Sequence, residues 1–152
     1  RKQTGVSGER ETWVCVCVCV DPKKGGMSDV NFDDIGKEFA LYYYKCLDTN
    51  ALQDLANLYT EESMMTWEKD TYQGVEEIIE KFKNFSFESI DHDLVSCDCQ
   101  PSISNGINVV VTGRVKFDED PPHFFCQYFH LVPLDDSYVL SNDIFRFIFM
   151  TS

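Results

Sequence analysis

At 152 residues, with 43% hydrophobic and 14% aromatic content, the chain has the composition of one compact domain and not of a disordered polypeptide. Its net charge of −13 argues against nucleic acid or anionic membrane as the main partner. From residue 27 onward the balance is 8 basic against 23 acidic residues, or −15, a surface that steers basic partners toward it.

Residues 1–26 contain "VCVCVCV" (residues 14–20), the translation of a (GT)n nucleotide repeat, since GTG encodes Val and TGT encodes Cys. The expectation is that residues 1–26 are a non-native extension and that the domain begins at Met27. A signal peptide fits less well, because charged "DPKK" follows the apolar run where small residues would mark a cleavage site. No stretch approaches the ~18 apolar residues of a membrane span.

"SDVNFDDIGKEFALYYYKCLDTN" opens with capping residues and carries Asp33 and Asp34 where a helix N-terminus favours acids. Ile35, Phe39, Tyr43 and Leu47 recur at four-residue steps and form one helical stripe. "ALQDLANLY" predicts a second helix with Leu52, Leu55, Ala56 and Tyr59 inward. "SMMTWEKDTYQG" predicts a hairpin around Lys69 and Asp70, and "GVEEIIEKFKNF" a third helix. Strands follow. "INVVVTGRVKF" puts Ile107, Val109, Val111, Val115 and Phe117 on one face. "HFFCQYFHLVPL" and "YVLSNDIFRFIFM" are aromatic-rich strands joined by "DDS". Helices first and an antiparallel meander after them predict an α+β fold, with three N-terminal helices on one face of a curved sheet. The last strands carry bulky apolar groups on both faces, so an apolar outer face predicts a partner, most simply a second copy in a homodimer.

Among the seven cysteines, Cys97 and Cys99 flank Asp98 on a predicted strand and share a face. Two same-face thiols lack the two further ligands of a zinc site, so reduced thiols and no metal are expected. "FDEDPP" places Asp118, Glu119 and Asp120 between a strand and two prolines. Period-two geometry sends Asp118 and Asp120 to one side, provided the strand stays extended to Pro121. A hard-cation site would need more oxygen ligands, and acid/base work would need a buried carboxyl. A solvated turn and a dock for basic side chains remain. In "TWEKD", Trp67 and Glu68 are expected to alternate, the indole inward and the carboxylate near the rim.

"MTWEKDTYQG", "FDEDPP" and "NDIFRF", in this order, resemble the patterns of the nuclear transport factor 2 family from about Phe32 to Phe147. The resemblance implies a cone-shaped α+β fold with an apolar cavity. It also implies a homodimer that binds Ran-GDP and phenylalanine-glycine nucleoporin repeats, carries Ran inward, and occupies cytoplasm and nucleus with concentration at the nuclear pore. By analogy a phenylalanine of Ran enters beside Trp67, while basic residues pair with Glu68, Asp118 and Asp120. Tyr128 and Ile144 match cavity positions, Phe32 matches a nucleoporin-binding aromatic, and His92 matches a structural position near the cavity. No cofactor and no catalytic residue is implied. The alternative is a dehydratase or isomerase of the same fold, with His92 as base and Tyr72 or Tyr128 as oxyanion donor.

Overall fold

The computed structural model describes residues 31–149, so the expectations for residues 1–26 and Met27 lie outside the described residues. Helix α1 (Phe32–Asp48) begins at Asn31, whose side-chain oxygen accepts the Asp34 N–H at 3.3 Å. Asp33 and Asp34 in the first turn and Lys45 in the last complement the helix dipole. Helix α2 (Leu52–Ala56) is shorter than its pattern predicts. Tyr59 is not its last inward residue but the first of strand β1 (Tyr59–Trp67), because its hydroxyl is drawn to a buried carboxylate described below.

Strand β2 (Asp70–Gln73) folds back on β1 through a two-residue turn at Glu68 and Lys69, one position earlier than predicted. Gly74, at φ +81, opens helix α3 (Gly74–Lys83), a conformation a side chain would resist. Strands β3 (Ile90–Pro101), β4 (Ile107–Phe117), β5 (His123–Leu134) and β6 (Ser137–Phe147) complete a six-stranded sheet of order β2-β1-β6-β5-β4-β3. The meander β3 to β6 is antiparallel as expected, but β1 joins β6 in parallel. A parallel neighbour needs a long crossover, here supplied by everything between β1 and β6, and side-chain alternation does not encode it. Register shifts at Leu94/Ser96 and His130/Leu131 mark bulges that bend the sheet around its helices.

The inner face buries Val109, Val111, Val115, Phe125, Phe129 and Phe145. Tyr43 of α1 meets Phe129 edge-on at 4.7 Å. Each such side chain contributes about 1.5–3 kcal/mol on burial. A polar knot sits inside this apolar layer. Asp143 of β6 is fully buried and accepts hydrogen bonds from Tyr59 (2.8 Å), Tyr43 (3.0 Å) and Gln127 Nε2 (2.7 Å). Tyr44 donates in turn to Gln127 Oε1 at 2.8 Å. These donors lower the Asp143 pKa, yet burial dominates and holds it at about 6.

Candidate functional site

Trp67 ends β1 with its indole inside, stacked on Phe145 at 3.9 Å with 2° between the planes. Phe85, in the connection between α3 and β3, tilts against it at 5.0 Å. Rings continue from there through Phe85–Phe87 (4.8 Å), Phe87–Phe117 (4.7 Å) and Phe117–Phe147 (6.1 Å). They form an aromatic mouth at one end of the sheet. Trp67 is buried, with Phe85 against one side of its indole and Phe145 stacked on it.

Glu68 does not alternate with Trp67 on a strand. It sits in the hairpin turn at φ +58, and its N–H donates to the Phe145 carbonyl at 3.0 Å. Its Oε1 accepts the backbone N–H of Phe147. The parallel neighbour β6 leaves that N–H beyond the last residue of β1, and Glu68 satisfies it. The carboxylate is thereby fixed at the rim, beside the rings.

Asp118 likewise lies outside the strand, since β4 ends at Phe117 and Asp118 has φ +46. Its Oδ1 accepts the N–H groups of Glu88 (2.9 Å) and Ser89 (2.8 Å), tying down the aromatic connection just before β3. Asp120 closes the turn by donating its N–H to the Phe117 carbonyl at 2.9 Å, and its side chain is exposed. Glu119 lies 3.6 Å from the Lys116 ammonium. The side-by-side placement expected for Asp118 and Asp120 fails because the left-handed backbone at Asp118 breaks period two. Glu68 and Asp118 nonetheless flank one mouth, linked by the contact of Phe147 with Phe117. Each engages one carboxylate oxygen with backbone, and among the described residues the second oxygen of each has no hydrogen-bond partner.

Tyr128 and Ile144 are not cavity residues. They pair with each other across β5 and β6 on the outer sheet face, opposite the buried Gln127, Phe129, Asp143 and Phe145. The Tyr128 hydroxyl donates to Asn108 Oδ1 at 2.9 Å, and Ile144 is exposed. Val110, Met64 and Phe124 are exposed too, and the registers place Val110, Tyr128 and Ile144 in one row across the face. Phe32 is the first residue of α1 and packs partly against the core.

His92 points inward, with its side chain 1% exposed and rings of Tyr44 (4.8 Å) and Phe125 (5.6 Å) against it. Its Nδ1 lies 2.5 Å from Asp48 Oδ1, and its buried Nε2 has no hydrogen-bond partner among the described residues. Asp48, at the end of α1, gave no sequence signal because no motif joins it to β3. The pair orients an imidazole but encloses it. Tyr128 lies on the opposite sheet face and Tyr72 on the opposite sheet edge, so neither predicted oxyanion donor meets His92. Among the described residues no group of three His, Cys, Asp or Glu could hold a metal ion, and no helix is long and apolar enough to cross a membrane.

Residues 35–147 match the family model described as the nuclear transport factor 2 domain. The chain belongs to the nuclear transport factor 2 family. It is 40% identical over 119 residues to nuclear transport factor 2 of Saccharomyces cerevisiae, covering 77% of this chain and 94% of that one. A solved structure of nuclear transport factor 2 from Cryptosporidium parvum superposes with TM-score 0.74 at 40% identity, over 77% of this chain and 94% of that chain. The yeast deubiquitinase Ubp3 and Bre5 cofactor complex is more distant, with TM-score 0.71 at 26% identity over 80% of this chain and 100% of the other. Members of the family named as transport factors, not enzymes, are thus the relatives at 40% identity.

Proposed function

We propose that this chain is a nuclear import adaptor that binds Ran-GDP at the aromatic mouth and carries it through the nuclear pore. The observation that carries the reading is the pair Glu68 and Asp118 on either side of rings running from Trp67 to Phe147. An aromatic side chain bracketed by Lys or Arg would find apolar walls and fixed carboxylates there. Asp120 adds charge at the exposed rim. Burying one Phe supplies about 1.5–3 kcal/mol, and a desolvated ion pair at an interface loses about 2–5 kcal/mol when one partner is removed. These two contributions are the part of the binding free energy that the mouth and its rim would supply, and further contacts across the interface would have to offset the cost of association.

Phe32 and neighbouring surface of α1 would take phenylalanine-glycine nucleoporin repeats. The outer-face row of Val110, Tyr128 and Ile144 would be covered by a second copy in a homodimer, so Tyr128 and Ile144 would act in assembly rather than in the cavity. On this reading the protein cycles between cytoplasm and nucleus and concentrates at the pore.

The test is calorimetric titration of the full chain with Ran loaded with GDP and, separately, with a non-hydrolysable GTP analogue. Micromolar or tighter binding to the GDP form alone is expected, weakening with added salt. Absence of binding to both forms would overturn the proposal while leaving the fold untouched.

A further inference from the structure

Neither the aromatic mouth nor the outer sheet face involves Cys97 and Cys99. Both lie on β3, an edge strand, and they register opposite Val111 and Val109, the buried face of β4. The two thiols, at i and i+2 on the strand, therefore share the face covered by α1. Residue 36 of α1 makes room for them as a glycine, since a Cβ there would stand 2.5 Å from Cys99 Sγ. Cys97 borders a groove of about 270 Å³ between α1 and β3, walled by Lys37, Ala40, Leu41 and Val95. Both cysteines are partly buried.

We propose that Cys97 and Cys99 form a two-thiolate site for a soft monovalent cation of the Cu(I) class. The ligand count selects this class. Zinc completes four ligands and calcium six to eight oxygens, whereas no third His, Cys, Asp or Glu joins these thiols among the described residues. Soft thiolates favour Cu(I), a closed-shell ion that two sulfurs satisfy. On binding, each S–H bond breaks and its proton leaves to solvent while two copper–sulfur bonds form. Copper stays in the +1 state, and the site gains a net single negative charge. The Lys37 ammonium lines the same groove as Cys97 and pairs with Asp33 at 2.6 Å.

The test uses the full chain with Cys15, Cys17 and Cys19 replaced by Ser, so that the amino-terminal thiols do not compete. Cu(I) is titrated without oxygen against a chromogenic Cu(I) chelator. One equivalent per chain is expected to be withheld from the chelator, and Cys97→Ser or Cys99→Ser is expected to weaken binding about 100-fold by removing the chelate. Cys46→Ser and Cys126→Ser are expected to leave it unchanged. Equal retention of copper by the Cys97→Ser and Cys99→Ser chains would overturn the assignment, as would loss only with Cys46→Ser or Cys126→Ser. Circular dichroism establishes that each variant is folded, and Cys97→Ala repeats the deletion if the serine chain is not.

Discussion

Glu68 accepts the backbone N–H of Phe147 with one carboxylate oxygen, and its other oxygen has no hydrogen-bond partner among the described residues. On the proposed function, structural and binding roles reside in the same side chain, and the choice of substitution separates them. Glu68→Gln keeps an oxygen acceptor for Phe147 but removes the charge. It is expected to leave unfolding free energy within about 0.5 kcal/mol of the parent and to weaken Ran-GDP binding by about 2–5 kcal/mol. Glu68→Lys also strands the Phe147 N–H, and is expected to cost about 1–3 kcal/mol of stability in addition. Urea titration and calorimetry on the same preparations check both. Unchanged binding by Glu68→Gln would remove the charge from recognition.

Asp118 allows the same separation on the other side of the mouth. Asn can occupy its left-handed backbone and accept from the Glu88 and Ser89 amides as the carboxylate does. Asp118→Asn is expected to fold normally and bind Ran-GDP about 30-fold more weakly or worse, from the lower end of the ~2–5 kcal/mol loss for a desolvated interfacial charge pair. Asp118→Ala releases both amides and loosens the connection that carries Phe85 and Phe87, so stability should fall by about 1–2 kcal/mol. Stronger acrylamide quenching of Trp67 in the alanine chain, with Trp13 replaced by Phe, would report the loosened rings. Quenching identical to the parent would show that Asp118 does not hold them.

Much of this fold is legible in the sequence because its signals are periodic. The stripe Ile35, Phe39, Tyr43 and Leu47 gives α1, and alternation from Ile107 to Phe117 gives β4 with its buried face. Partners across the sheet are not periodic, which is why the parallel pairing of β1 with β6 is invisible. Turn geometry is the second gap. Glu68 and Asp118 are placed near the rim by motif, but their positive φ angles and backbone partners follow from tertiary contacts that alternation cannot express. "NDIFRF" carries Asp143 as part of a family pattern, and only the fold shows that this carboxylate is buried under three donors. For Tyr128 and Ile144, motif matching gives the position in the chain but not which face of the sheet they occupy.

Ile144 tests the outer face. It is exposed and the cross-strand neighbour of Tyr128. If a second copy covers this face, Ile144→Asp buries an unpaired charge at its centre and should shift sedimentation from dimer to monomer at micromolar concentration. Circular dichroism should be unchanged, since the position is outside the core. A parent chain that sediments as a monomer would remove the dimer, and a dimer insensitive to Ile144→Asp would place the interface elsewhere.

Asp143 makes stability depend on pH in a direction opposite to that of a surface carboxylate. Its folded pKa is about 6, above the usual carboxylate value of 3.8, and burial is the first cause. The folded state therefore holds this proton more tightly than the unfolded chain does. Its contribution is fully present below about pH 4, is lost as pH rises through about 6, and is flat above that. Two units correspond to a loss on the order of 3 kcal/mol at neutral pH. The buried groups facing it are Tyr43, Tyr59 and Gln127; the two phenols are held well above their ordinary pKa by burial and stay neutral across this window. Asp143→Asn removes the titration while keeping an acceptor for the tyrosines. Unfolding free energies of parent and variant, measured in urea from pH 4 to pH 8 at fixed protein concentration, should converge or cross in favour of the variant as pH rises to 6. A constant difference across that range would show that Asp143 keeps an ordinary carboxylate pKa despite its burial.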